Sequence, residues 1–176
     1  SPLGTAPCIT DGEITLSETN AIMDYILDTH DDGRLRPAPG TPNRADYLFW
    51  FHVSQGSLQP LLTNKFVMMA MTARAPFFLK PAAKMLVGGL DKAFFGPRLK
   101  ALMTEIEKAL GKSTWFAGDN LTAADIVMGY SMELAAHRAG MDAGNYPNAH
   151  RFLQQMRAYP SYQRALEKDG KGTILL

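Results

Sequence analysis

The sequence predicts a small α+β piece, a β-hairpin with one helix, followed by an all-α bundle of five helices. Three observations carry this expectation. Strand-like spacing is confined to Pro7–Leu16, where Asp11-Gly12 supplies a hairpin turn signal. From Pro42 onward the apolar residues recur at helical spacing, with proline or glycine at the breaks. Thr122-Ala123-Ala124-Asp125 fits the Ser/Thr-x-x-Asp/Glu capping box and precedes a run without charge up to Glu133.

Cys8, Ile9 and Thr10 read as the first strand, and Ile14 to Leu16 as the return. Ser17-Glu18-Thr19-Asn20 then opens a helix whose apolar stripe is Ala21, Ile22, Tyr25 and Ile26. A hairpin and one helix are too small to fold alone, so this segment is expected to belong to a larger sheet. Gly33, Pro37, Pro39 and Gly40 among charges mark residues 33–41 as a linker between a first domain, 1–32, and a second, 42–176. Asp28, His30, Asp31 and Asp32 read as decoration of an exposed helix end.

In the second domain, Tyr47, Trp50, Phe51, Ser54 and Leu58 share one face of a helix that Gly56 and Pro60 should bend or interrupt. It resumes through Leu62, Phe66 and Met69 to about Arg74. A second long helix is expected from roughly Ala82 to Leu110, irregular at Gly88-Gly89 and Gly96-Pro97. The helix after Thr122 carries Ile126, Val127, Met128, Tyr130 and Met132 around its whole circumference, which predicts burial on all sides. In its cap, the Thr122 hydroxyl should accept the Asp125 amide while the Asp125 carboxylate reaches back to the Thr122 amide. Gly140 closes that helix. Two short helices follow, about Ala149–Ala158 and from Pro160 to near Gly170.

The bulk numbers exclude several function classes. In 176 residues, 18 Lys and Arg face 17 Asp and Glu, a net charge of +1 that gives no case for nucleic acid. Cys8 is the single cysteine, so no disulfide framework exists, in keeping with a reducing, cytoplasmic setting. The four histidines show no ligand spacing, and no metal is expected.

Two separated motifs carry a family resemblance. Pro2-Leu3-Gly4-Thr5-Ala6-Pro7, an acidic-Gly turn and then Leu16-Ser17-Glu18-Thr19-Asn20-Ala21-Ile22 resemble the second half of the thioredoxin-like domain of glutathione transferases. Phe116 to Asp125 is similar to the capping segment of that family's helical domain, and the stretch from Tyr146-Pro147 to Tyr162 is similar as well. Gly56-Ser57-Leu58-Gln59-Pro60 and Phe77–Lys84 look most like a branch shared by fungi and bacteria. The resemblance implies a transferase conjugating glutathione to an apolar electrophile. Pro7 would be the family's cis-proline, and the Ala6 backbone would pair with the cysteinyl part of glutathione like an added strand. Glu18 and Thr19 would hold the γ-glutamyl end at a helix N-terminus. Trp50, Ser54 and Tyr130 would line the electrophile pocket. A homodimer is the family expectation. The residue that activates the glutathione thiol has no counterpart in this numbering, so the catalytic residue stays unassigned; Cys8 reads as a small packed strand residue. A non-catalytic binding or scaffold module and a glutathione-dependent thiol reductase are the alternatives.

Phe66–Leu90, rich in Phe, Met and Pro and dotted with Arg74, Lys80 and Lys84, reads first as core, substrate pocket or dimer contact and second as a membrane-surface segment.

Overall fold

The computed structural model describes Gly4 and residues 6–169. Two short antiparallel strands, β1 (Cys8–Asp11) and β2 (Ile14–Ser17), pair Cys8 with Ser17 and Asp11 with Ile14. The turn therefore lies at Gly12-Glu13, one residue later than Asp11-Gly12 suggests, and Gly12 takes its left-handed place at φ 56°. Eight α-helices follow among the described residues: α1 (Thr19–Thr29), α2 (Arg44–Val53), α3 (Gln59–Arg74), α4 (Lys80–Leu90), α5 (Gly96–Lys112), α6 (Ala123–Arg138), α7 (Pro147–Arg157) and α8 (Pro160–Asp169). The expected helix end near Gly170, and Pro2, Leu3 and Thr5 of the first motif, lie outside the described residues.

The five expected helices of the bundle are recognisable, because two of them are long helices that each contain a π-helical turn. Ser54–Leu58 joins α2 to α3 across Gly56, and Asp91–Phe95 joins α4 to α5. Such turns insert one residue into an α-helix. The second lies after Gly88-Gly89 and ends where the Gly96 amide donates to the Asp91 carbonyl.

By packing, the chain divides into two compact units. The first is Ser1–Gly56 with Ser113–Met128; the second is Ser57–Lys112 with Gly129–Leu176. The first has its core in Ile22, Leu27, Tyr47, Trp50, Phe51, Trp115, Phe116 and Val127. Trp50 lies 4.8 Å from Phe116 between ring centres, and Tyr47 stacks on Phe51. In α1 the buried residues are Ile22 and Leu27, while Ile26 is exposed, so the buried stripe is narrower than the expected Ala21–Ile26 set. Residues 33–41 are tied down: Arg36 pairs with Asp24 and Asp28, and the Leu35 carbonyl accepts the Ala123 amide.

The second unit packs α5 on α7 through Met103, Ile106, Leu110, Phe152, Leu153 and Met156. Glu107 accepts the free amides at the start of α7, from Asn148 and Ala149, which supplies the cap that Tyr146 lacks. Glu133, Arg157 and Tyr162 join α6, α7 and α8 through a two-pronged ion pair and a phenolic hydrogen bond.

The expectation that α6 is buried all round is corrected. Val127, Met128 and Met132 are buried, but Ile126 and Tyr130, one turn apart, are 37% and 43% exposed. A sequence without charge does not need a buried face on every side. The reading of Phe66–Leu90 as core is corrected too: Phe77 is 86% exposed, and α4 buries none of its residues.

Candidate functional site

The hairpin register assembles the predicted binding residues. Because Cys8 pairs with Ser17, the segment before Cys8 and the segment after Ser17 leave the hairpin at the same end. Ala6-Pro7 and Glu18-Thr19 are therefore neighbours. The Ala6–Pro7 peptide bond is cis, and both residues are exposed. Ser17 is buried, and the chain turns abruptly after it: Glu18 takes φ 78°, ψ 120°, a conformation an L-residue other than glycine seldom adopts.

That turn points α1 into the site. The first bond of the helix runs from the Ile22 amide to the Glu18 carbonyl, so the amides of Thr19, Asn20 and Ala21 precede it. Glu18 stands at the N-cap without a side-chain cap bond, and its own side chain is exposed. The ordinary capping role for this pair is thus not used. The result is an open helix N-terminus with three forward amides, a hydroxyl and a carboxylate beside an exposed extended strand end. Such a tip attracts a carboxylate through amides and dipole, while Glu18 can accept from an ammonium.

Two further groups hold the tip in place, and sequence spacing did not single them out. Asn20 Nδ2 donates to the Phe51 carbonyl at 3.0 Å, fixing α1 to α2, and its Oδ1 is buried without a protein partner. At the far end of the hairpin, Asp11 accepts from the Tyr25 hydroxyl at 2.9 Å and lies 3.3 Å from His30 Nε2. The Tyr25 bond, then that of His30, draws the Asp11 carboxyl below its ordinary range, and the same bond raises the Tyr25 phenol. His30 and Asp28, expected as surface decoration, are fasteners of the hairpin and the linker. The signal lay in their separation of many residues, which local patterns do not display.

The residues expected at an electrophile are differently placed. Trp50 is buried against Phe49 and Phe116, and the buried Ser54 hydroxyl donates to the Phe51 carbonyl at 2.7 Å. Tyr130 presents an exposed ring on α6. Cys8, expected to be packed, is exposed on the two-stranded hairpin.

The capping segment departs from the expected pattern in an informative way. The Asp125 carboxylate accepts the Thr122 amide at 2.8 Å, as expected. The Thr122 hydroxyl, however, donates to Asp125 Oδ2 at 2.8 Å instead of accepting an amide, and the Asp125 amide goes to the Thr122 carbonyl. The other carboxylate oxygen accepts the buried Phe116 amide at 2.8 Å. Burial pushes the Asp125 carboxyl up to about 6 despite these donors, which pull the other way.

The family described as "Glutathione S-transferase, C-terminal domain" matches residues 71–169. Glutathione S-transferase 3 of Schizosaccharomyces pombe is 25% identical over 176 residues, covering 100% of this chain and 72% of the relative. Glutathione S-transferase GST-4.5 of Xanthomonas campestris is 26% identical over 170 residues, 97% of this chain and 78% of the relative. The crystal structure of a glutathione S-transferase from Actinobacillus pleuropneumoniae superposes with a TM-score of 0.71 at 27% identity, covering 99% of this chain and 74% of that one.

Proposed function

The chain belongs to the glutathione S-transferase family, and we propose that it binds reduced glutathione at the tip of α1 for transfer of the sulfur to a small apolar electrophile. The observation that carries this reading is Glu18: an exposed residue in a strained conformation, at an uncapped helix start, beside Ala6 and the cis-Pro7. On this reading the Ala6 backbone pairs with the cysteinyl peptide as a further strand. Thr19 and the forward amides take the γ-glutamyl carboxylate, and Glu18 takes its ammonium. The role of these groups is positioning: they hold the sulfur at a fixed place from which a thiolate attacks the electrophilic atom and expels the leaving group. No residue of this chain is assigned to activating the thiol. The Trp50 ring and the Ser54 hydroxyl are committed to the packing of their own unit, and no residue of this chain is assigned to contact with the electrophile. A homodimer in the cytoplasm is part of the same proposal.

Titration calorimetry with reduced glutathione tests it. Wild type should bind, and Glu18→Ala should weaken binding by about tenfold or more, the scale of one charge-assisted pair. Thr19→Val should weaken it less. Equal affinity in wild type and both variants overturns the assignment of the site.

A further inference from the structure

The α3–α4 tip plays no part in the proposed glutathione site. The two helices form an antiparallel pair joined by a short turn, in which the Leu79 and Lys80 amides both donate to the Pro76 carbonyl. At the turn, Phe77 and Phe78 are 86% and 67% exposed, with ring centres 5.5 Å apart. Met71, Leu79, Met85 and Leu86 extend the exposed apolar surface. The charges of this surface have one sign. Arg74, Lys80 and Lys84 are exposed and have no acidic partner among the described residues, and the sequence holds no Asp or Glu between Asp46 and Asp91.

We propose that this tip docks on an anionic lipid bilayer, with Phe77 and Phe78 inserted and Arg74, Lys80 and Lys84 on the headgroup phosphates. Two features choose this occupant. Lys80 and Lys84 line an open groove of about 480 Å³ whose other walls include Met69, Val87 and Gly88, so ammonium groups and apolar surface meet in one place. That juxtaposition matches a phosphate joined to acyl chains. A two-fold pairing of this patch with itself would instead set each cation against its own kind. Among the described residues no helix is long and apolar enough to cross a membrane; the proposed contact is with the bilayer surface. The inference does not rest on glutathione binding.

Vesicle sedimentation of the full chain tests the proposal, with phosphatidylcholine alone or with about 30% phosphatidylserine. The chain should partition to the anionic vesicles, less so as salt rises, and not to the neutral ones. Lys80→Gln/Lys84→Gln should lower partitioning about 25-fold, since each juxtamembrane cation contributes about fivefold. Phe77→Ser/Phe78→Ser should abolish it. A Phe77→Trp reporter should shift its emission to the blue on anionic vesicles, while the native Trp50 and Trp115 are already buried. Equal partitioning to both vesicle types, an unmoved reporter emission, or partitioning insensitive to both double variants overturns the proposal. So does a chain that stays off the vesicles and whose phenylalanine variant converts a dimer to a monomer, which would assign the patch to a second copy.

Discussion

Replacing Asp125 with alanine should destabilise the chain by about 2–4 kcal/mol at pH 7.5. The side chain is fully buried, and its two oxygens accept three donors: the Phe116 amide, the Thr122 amide and the Thr122 hydroxyl, each at 2.8 Å. The hydroxyl can turn elsewhere, but the two amides cannot. Each buried donor left without an acceptor costs about 1–3 kcal/mol, and the ionised carboxylate's own burial offsets part of that sum. The burial has a pH signature. In the folded chain the carboxyl titrates at about 6 against an ordinary 3.8, so the folded state binds its proton more tightly than the unfolded state. Its contribution is therefore complete below about pH 4 and declines as pH rises through about 6. The difference is about 3 kcal/mol. Once protonated, the carboxyl can donate to the Thr122 hydroxyl and still accept both amides. Urea denaturation at pH 5 and pH 7.5 measures both effects. The penalty of Asp125→Ala should be larger at pH 5 than at pH 7.5. A penalty below about 1 kcal/mol, or one independent of pH, would refute the reasoning.

Other expected outcomes follow from the second unit. Arg157→Met should cost about 2–3 kcal/mol at pH 7, because it strands the buried Glu133 carboxylate. Burial raises the Glu133 pKa, but Arg157 and Tyr162 overcome that and hold it below the ordinary 4.5. The pair's contribution is accordingly present above pH 4.5 and lost as pH falls, so the penalty should shrink in acid; urea melts at pH 7 and pH 4 check the sign. Gly96→Ala should cost about 1–3 kcal/mol in the same assay, since a Cβ there would stand 2.9 Å from the Asp91 carbonyl oxygen that closes the π-helical turn. A wild-type midpoint would show that the turn yields.

What the sequence displayed was chemistry between near neighbours. Thr122 and Asp125 are three residues apart, and their pairing was legible; the second oxygen's bond to Phe116 spans nine residues and was not. Tyr47, Trp50, Phe51, Ser54 and Leu58 share one face by helical spacing and are all buried. The break at Gly56 was legible, yet nothing local distinguishes a bend from the π-helical turn that replaces it. Of the two places expected to be irregular in the second long helix, Gly88-Gly89 lies within regular α4, whereas the π-helical turn Asp91–Phe95 runs up to Gly96. Phe77, Phe78, Met85 and Leu86 show the limit most plainly. Periodicity says that residues want a common neighbour; it does not say that this chain provides one.

Glu18 joins these threads. A non-glycine residue at φ 78° costs about 1–3 kcal/mol and persists only where its surroundings over-determine it. Here they do so from both sides. Toward the strand, Ser17 is buried and held in register with Cys8; toward the helix, Ile22 and Leu27 are buried, and Asn20 is bonded to the Phe51 carbonyl. Tyr25 fastens the next turn of α1 to Asp11 at the hairpin's far end. Strand and helix are thus fixed independently, and the one residue between them takes the strain. A glycine there would relieve it without disturbing either anchor. If the strain serves to aim the carboxylate, Glu18→Gly should raise the thermal midpoint or leave it unchanged while weakening glutathione binding. A variant that loses stability instead would mean that the exposed side chain supports the fold and the turn has no ligand to answer to.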